Sequence, residues 1–176
     1  MAKVFEITFF HFIHNAKIYR QCMVAVFKLM MLVLLFSSCE KQEFNTQNQT
    51  DYDREILEAV NAYRAGKGLT PLVHDDFLWQ VANSHSENMA NGSIPFGHDG
   101  LTERSDLVTT HYFNSTYAEN IAKGQGTGTE LVESWLGSIG HKKNIEGNFT
   151  LTGLSAIKSA DGTWYYTQVF CKPLSK

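Results

Sequence analysis

Four side chains with metal-binding or acid–base chemistry stand in loops or at the ends of predicted elements: His98, Glu103, Glu119 and His141. Neutral imidazole nitrogens are good ligands for Zn²⁺ and similar divalent ions, and carboxylates can complete such a shell or orient a bound water. The same groups can act as general acid and base, with Glu103 and Glu119 as the candidate catalytic residues. No H-E-x-x-H motif presents two ligands on one helix, so spacing alone leaves surface or structural roles equally open.

Three other polar side chains have simpler interpretations. Ser138, His141 and Glu119 could form a Ser-His-acid set, but such a triad is recognised by geometry that a sequence does not supply. His85 lies on the apolar face of a predicted helix, which favours a packed, hydrogen-bonded core histidine. Cys171 lies at the end of a predicted strand, where a buried and inert thiol is the expectation.

Hydrophobic periodicity indicates the elements that must position these residues. It predicts helices at residues 51–65, from 75 or 76 to about 91, at 102–108 and at 129–138. Alternating or β-branched runs predict strands at 109–113, 150–158 and 163–171, the last two joined at Asp161-Gly162. Helices followed by a terminal hairpin indicate an α+β domain, with helices packed on a small antiparallel sheet.

Composition and charge exclude several classes of protein. The 176 residues are 43% hydrophobic and 12% aromatic, values typical of a globular chain and not of a disordered one. Three cysteines are too few for a disulfide-dense scaffold. The formal net charge of −3 argues against a nucleic-acid partner, because binding to phosphates requires an excess of cations.

The N-terminal segment has the pattern of a bacterial lipoprotein signal. An apolar run at 29–36 follows Lys28 and precedes Ser37, Ser38 and Cys39; it is too short to span a bilayer. We therefore predict a signal peptide at 1–38, a lipidated Cys39 with a polar tether at 39–50, and a domain at 51–173. Residues 1–22 fit no part of such a signal, so Met23 is a candidate true start. A buried core helix is the alternative interpretation of the apolar run.

The order of motifs resembles the CAP superfamily of cysteine-rich secretory, antigen 5 and pathogenesis-related proteins. The similarity is carried by L-E-A-V-N-A-Y-R-A-G-K-G-L at 57–69, G-H-D-G-L-T-E-R at 97–104, A-E-N-I-A at 118–122, W-L-G-S-I-G-H-K-K-N-I at 135–145 and W-Y-Y-T-Q-V-F at 164–170. It covers about residues 52–172. The disulfides and the cysteine-rich extension of eukaryotic members are absent, so roles tied to that extension do not transfer.

The resemblance implies a CAP-type α-β-α sandwich with a wide cleft. It also implies that the cleft carries His98, Glu103, Glu119 and His141, which could hold a divalent metal, with Zn²⁺ favoured. By the same likeness, Asn120 and Ser138 would support the cleft.

Three functions follow as expectations. The first is an extracytoplasmic, lipid-anchored binding module, monomeric, whose metal-holding cleft takes a lipid, peptide or glycan ligand; its anchor would place it in the periplasm or at the cell surface. The second is a metal-assisted hydrolase of envelope or extracellular substrates, in which a glutamate acts on a metal-bound water. The third is a structural envelope protein.

Overall fold

The computed structural model describes residues 46–124 and 126–174, with side chains described from residue 51 onward. The predicted signal peptide, the alternative start at Met23 and the lipidation site at Cys39 lie outside these residues. Within the described part of the chain, no helix is both long enough and apolar enough to cross a membrane.

Helices and strands alternate irregularly along the chain. The described helices are α1 (Thr46–Gly66), α2 (Asp76–Ala90), α3 (Leu101–His111), α4 (Gly128–Gly137) and α5 (Ile139–Ile145). The described strands are β1 (Val73–His74), β2 (Ser115–Gly124), β3 (Leu151–Lys158) and β4 (Trp164–Pro173).

The strands form one mixed sheet in the order β1-β3-β4-β2. The predicted hairpin is present, since β3 and β4 pair antiparallel from Leu151↔Cys171 to Lys158↔Trp164. Strand β2 is an edge strand that pairs antiparallel with β4, while the two-residue β1 pairs parallel with β3 at the other edge.

Apolar side chains cover both faces of the sheet. One core joins α1, α4 and α5 to the face that carries Leu154, Tyr166 and Phe170. The other joins α2 and α3 to the face that carries Val169 and Cys171. This arrangement of helices on both faces confirms the predicted α-β-α sandwich.

Two close contacts fix the helices on the sheet. Gly153 of β3 lies so near α2 that an added Cβ would come within 2.0 Å of the Leu78 carbonyl carbon. Arg64 of α1 is buried, and its guanidinium donates to the carbonyl oxygens of Thr70, Ile145, Gly147 and Phe149. Arg64 thereby ties the end of α1 to the end of α5.

The structure corrects the prediction between residues 101 and 124. The predicted strand at 109–113 is wrong, because α3 continues to His111 and the chain reverses at Phe113 and Asn114, which have φ values of 55° and 121°. Packing of buried Val108 in the core beneath α3 outweighs the β propensity of the residues that follow it. The strand in this region is β2, which the sequence pattern did not indicate.

Smaller differences concern α1, α5 and β1. Helix α1 begins at Thr46, so residues 46–50 are helical although they were predicted to belong to the tether. Helix α5 and strand β1 were not predicted, because their 7 and 2 residues are too short to show a period.

Candidate functional site

His98 lies in the loop between α2 and α3 and reaches across to β2. Its Nδ1 is 2.9 Å from Oε1 of Glu119, and 45% of its side chain is exposed. Because an ionised carboxylate only accepts hydrogen bonds, Nδ1 carries the proton and donates it. In the neutral imidazole, Nε2 of His98 is then the nitrogen without a proton, and it can accept a hydrogen bond from an incoming group.

Glu119 is the centre of the cluster, and its buried carboxylate accepts four hydrogen bonds. Besides His98, Arg104 donates from Nε to Oε2 and from Nη2 to Oε1, each at 2.7 Å, and the Tyr117 hydroxyl donates to Oε2 at 2.9 Å. Burial acts to raise the pKa of Glu119, but the bonds from Arg104 and His98 outweigh it and hold that pKa below its usual value. Glu119 is therefore an ionised carboxylate. The Arg104 guanidinium balances its charge, and both of its oxygens accept hydrogen bonds.

Strand geometry explains why Tyr117 and Glu119 meet. Residues two apart on a strand point to the same face, so both side chains face α3, where Arg104 lies. Asn120 points to the opposite face. Arg104 also donates from Nη1 to the Asp99 carbonyl oxygen at 2.7 Å, which helps to hold its guanidinium against the Glu119 carboxylate.

His141 is held beside β2 through its backbone. Asn120 donates to the His141 carbonyl oxygen at 3.2 Å, and Asn144 donates to Asn120 Oδ1 at 2.8 Å and to the Glu119 carbonyl oxygen at 3.1 Å. The His141 ring lies 6.3 Å from that of Trp135. Burial, and then the charge of His98, lower the pKa of His141, so the two imidazoles lie within electrostatic reach of each other.

His85 completes the inner side of the cluster. It is 2% exposed, its Nε2 donates to the Gly97 carbonyl oxygen at 3.0 Å, and that nitrogen is 3.9 Å from Glu119 Oε1. Burial, followed by the charge of Arg104, lowers its pKa, so His85 is neutral at pH 7. The predicted hydrogen-bonded core histidine is confirmed, as is the buried thiol of Cys171.

Two of the predicted site residues lie apart from this contact. Glu103 is exposed on α3 and lines a cavity of about 350 Å³ between α2 and α3, whose walls do not include His98, Glu119 or His141. Ser138 is the residue between α4 and α5. The carboxylate of Glu119 pairs with His98 instead of His141, so a Ser138-His141-Glu119 triad is not assembled.

Sequence reasoning missed Arg104 and Tyr117. Arg104 directly follows Glu103 in a quoted motif, yet its partner lies on a strand that was not predicted. If β2 had been recognised, the alternation of side chains along the strand would have placed Tyr117 and Glu119 on the same face. Glu119 would then have been a buried acid that requires a cation as its partner.

The donors around Glu119 do not fit a divalent metal. Both of its oxygens already accept hydrogen bonds, and the Arg104 guanidinium occupies the position of a counter-cation. Of the other predicted ligands, His98 and His141 could each offer one imidazole nitrogen, and Glu103 lines the cavity between α2 and α3. Among the described residues, no group of three or more His, Cys, Asp or Glu side chains is arranged to hold a metal ion.

Comparisons with known proteins agree with this architecture. Residues 57–170 match the model of the cysteine-rich secretory protein family, CAP. The uncharacterized protein YkwD of Bacillus subtilis is 37% identical over 123 residues, covering 68% of this chain and 46% of YkwD.

Two solved structures share the fold. An extracellular protein containing a SCP domain from Bacillus anthracis is 28% identical with a TM-score of 0.59, covering 70% of this chain and 41% of that one. A cysteine-rich secretory protein from Staphylococcus aureus is 24% identical with a TM-score of 0.59, covering 72% and 40%. The chain spans less than half the length of each of these three relatives. The matched region includes α2 to α5 and β1 to β3 in full, together with His98, Arg104, Glu119 and His141, and on this evidence the chain belongs to the cysteine-rich secretory protein (CAP) family.

Proposed function

We propose that this chain is an extracytoplasmic binding module, tethered to the membrane through a lipidated Cys39, that holds a polar ligand at the surface of His98 and His141. The lipoprotein-like pattern around Cys39 and the resemblance to a relative described as extracellular support the location. The four hydrogen bonds on Glu119 favour a binding function over metal-assisted hydrolysis. A carboxylate whose two oxygens are already bonded is poorly placed to accept a proton from water or to ligate a metal ion.

The side chains that build the cluster favour a glycan or a peptide over an acyl chain. They are imidazole, guanidinium, phenol and amide groups, which bind polar atoms. His98 Nε2 is the accessible acceptor, held in one tautomer by the bond from Nδ1 to Glu119. A ligand hydroxyl or amide N–H would donate to it.

Soluble peptidoglycan fragments, a mixture of short peptides and short-chain phospholipid micelles test the ligand class. Imidazole resonances of the full-length chain should shift with a fragment or a peptide and stay unchanged with the micelles. The double variant His98→Ala/His141→Ala should lose binding and keep its unfolding midpoint. His111→Ala is the matched control, since His111 stacks on Phe77 at the end of α3 and outside the cluster. Equal binding by the double variant would refute the proposal.

Equilibrium dialysis against Zn²⁺ tests the role of the metal separately. We expect no stoichiometric Zn²⁺ that depends on His98 and Glu119. If the wild-type chain bound one equivalent of Zn²⁺ and both His98→Ala and His141→Ala lost it, the result would support the metal-holding cleft that the family resemblance implies.

One observation favours a second function, a metal-free hydrolase. The Glu119–His98 contact orients an imidazole as a general base, as the acid does in a catalytic dyad. Turnover of ester, peptide or glycan substrates that is abolished in His98→Ala, and whose rate rises with pH to a single plateau, would support it. Absence of turnover in wild type across that panel would exclude it.

A further inference from the structure

A second buried carboxylate lies at the other edge of the sheet. Asp53 of α1 is 8% exposed. Its Oδ1 accepts a hydrogen bond from the backbone N–H of Ala156 at 2.8 Å, and its Oδ2 accepts one from Nε1 of Trp79 at 3.1 Å. Each oxygen retains a further lone pair, and neither donor carries a charge. Asp53 is therefore a desolvated acid without a counter-ion among its hydrogen-bond partners.

Asp53 lines a cavity of about 460 Å³ between α1, β1, α2 and β3. The apolar part of the wall is formed by Leu57, Trp79 and Leu154. A volume of this size accommodates a small organic molecule, and binding sites for such molecules are mostly apolar with a few placed polar groups. The combination is a cavity with an apolar part and one buried acid, Asp53, in its wall.

The other charged groups that line the cavity are already paired. Arg54 forms ion pairs with Asp51 at 2.8 Å and with Glu58 at 3.7 Å, both on the exposed side of α1. His74 lies 3.3 Å from Asp76. Neither Arg54 nor His74 is bonded to Asp53, so ionised Asp53 has no partner of opposite charge in the cavity.

We propose that this cavity binds a small apolar amine in its ammonium form, with Asp53 as the counter-ion and Leu57, Trp79 and Leu154 around the hydrocarbon. The ammonium supplies charged N–H donors to the free lone pairs of the carboxylate. A neutral alcohol of the same shape would gain the apolar contacts and one neutral hydrogen bond, without the charge pairing. This inference is independent of the His98 surface.

Burial raises the pKa of Asp53 to about 7, even though its two hydrogen bonds act to lower it. Near neutral pH the acid is therefore partly protonated in the empty cavity, and a bound ammonium favours its ionised form. Affinity for the amine should increase from pH 6 to pH 8. The other lining groups that carry or can take a charge are Arg54, His74 and Asp76.

Isothermal titration of the full-length chain with phenethylammonium and with phenethyl alcohol tests the proposal. At pH 8 the amine should bind at least tenfold more tightly than the alcohol, and the ratio should fall towards one at pH 5.5. Asp53→Asn should remove the preference for the amine. Leu57→Trp, which fills the chamber and keeps Asp53, should abolish binding of both probes.

Leu107→Trp is the matched control, because Leu107 lines the other cavity, between α2 and α3. It should leave both affinities unchanged. Equal affinity for amine and alcohol at pH 8, tighter binding of the alcohol, or binding that survives both Asp53→Asn and Leu57→Trp would overturn the proposal. If Asp53→Asn unfolds the chain, the amine-to-alcohol ratio and the effect of Leu57→Trp still decide it.

Discussion

Two buried acids occupy opposite edges of one sheet and have opposite electrostatics. Glu119 on β2 is bonded to a guanidinium, and its pKa lies below the usual value. Asp53 is comparably buried beside β3 but receives only neutral donors, and its pKa is raised to about 7. Desolvation is the largest influence on both, so the partner decides the sign.

The comparison shows what each site is prepared to accept. The Glu119 site contains its own cation and presents an imidazole to solvent, whereas the Asp53 site has a cavity whose lining arginine, Arg54, pairs with other acids. At the first site Arg104 already balances the charge of Glu119, so a positively charged ligand gains little there. At the second site such a ligand would balance the charge of Asp53. The following changes test that contrast.

Removing the guanidinium from Glu119 should have the largest effect. Arg104→Met leaves a buried carboxylate without its counter-charge and should lower the free energy of unfolding by about 3–5 kcal/mol. Urea denaturation measures it. Arg104→Met/Glu119→Gln should recover a large part of the loss, because the unpaired charge is then absent.

Arg54→Met is the matched control for Arg104→Met. The ion pairs of Arg54 are exposed, and such pairs contribute about 0–1 kcal/mol. An Arg104→Met chain as stable as Arg54→Met would show that Glu119 does not depend on a cation.

Removing the carboxylate of Asp53 should have a smaller effect. Asp53→Ala leaves the buried N–H of Ala156 without its partner and should cost about 1–3 kcal/mol by urea denaturation. No charge is left unpaired, which is why the loss stays below that of Arg104→Met. Asp51→Ala, on the exposed part of α1, should change stability by under about 0.5 kcal/mol. A loss at Asp53 as small as at Asp51 would show that water replaces the carboxylate.

The sequence predicted the parts of this contrast that depend on regular patterns. Alternating apolar residues located β3 and β4, and helical spacing located α1, α2 and α4, because each of these segments carries a repeating apolar pattern. Strand β2 lacks that signal. It buries Glu119 and Asn120 side by side, so polar residues stand where apolar ones mark a strand.

The contacts of the two acids depend on tertiary structure. Arg104 and Glu119 are 15 residues apart, and Asp53 and Ala156 are 103 apart, so no local spacing records either pair. The family resemblance selected His98 and Glu119 together, and the structure places them in contact. Asp53 was not among the predicted site residues, and its carboxylate accepts hydrogen bonds from α2 and β3.

The pH dependence of stability should have opposite signs at the two acids. Between pH 3.8 and about 7 Asp53 holds its proton in the folded state and is ionised in the unfolded state, so stability falls as pH rises through this window. Glu119 has a depressed folded pKa, so its contribution is present above its unfolded value of about 4.5 and is lost as pH falls below it. Urea midpoints from pH 3 to pH 8 measure both.

The variants separate the two contributions to the pH profile. Asp53→Asn should remove the decline between pH 4 and pH 7 and leave the acid limb, and Glu119→Gln should weaken the acid limb alone. If stability still declines between pH 4 and pH 7 in Asp53→Asn, a titrating group other than Asp53 is the cause.

Among the side chains that bond Glu119, His98 should contribute least to stability. Its side chain is nearly half exposed, and Glu119 keeps three hydrogen bonds from Arg104 and Tyr117 when it is removed. His98→Ala should therefore cost under about 1 kcal/mol, against about 1 kcal/mol for Tyr117→Phe, whose hydroxyl bonds the same carboxylate from a less exposed position. A structural network would need His98 about as much as it needs Tyr117. A His98→Ala chain that is nearly as stable as wild type but has lost its ligand would assign the imidazole to binding, whereas a large loss of stability would assign it to the fold.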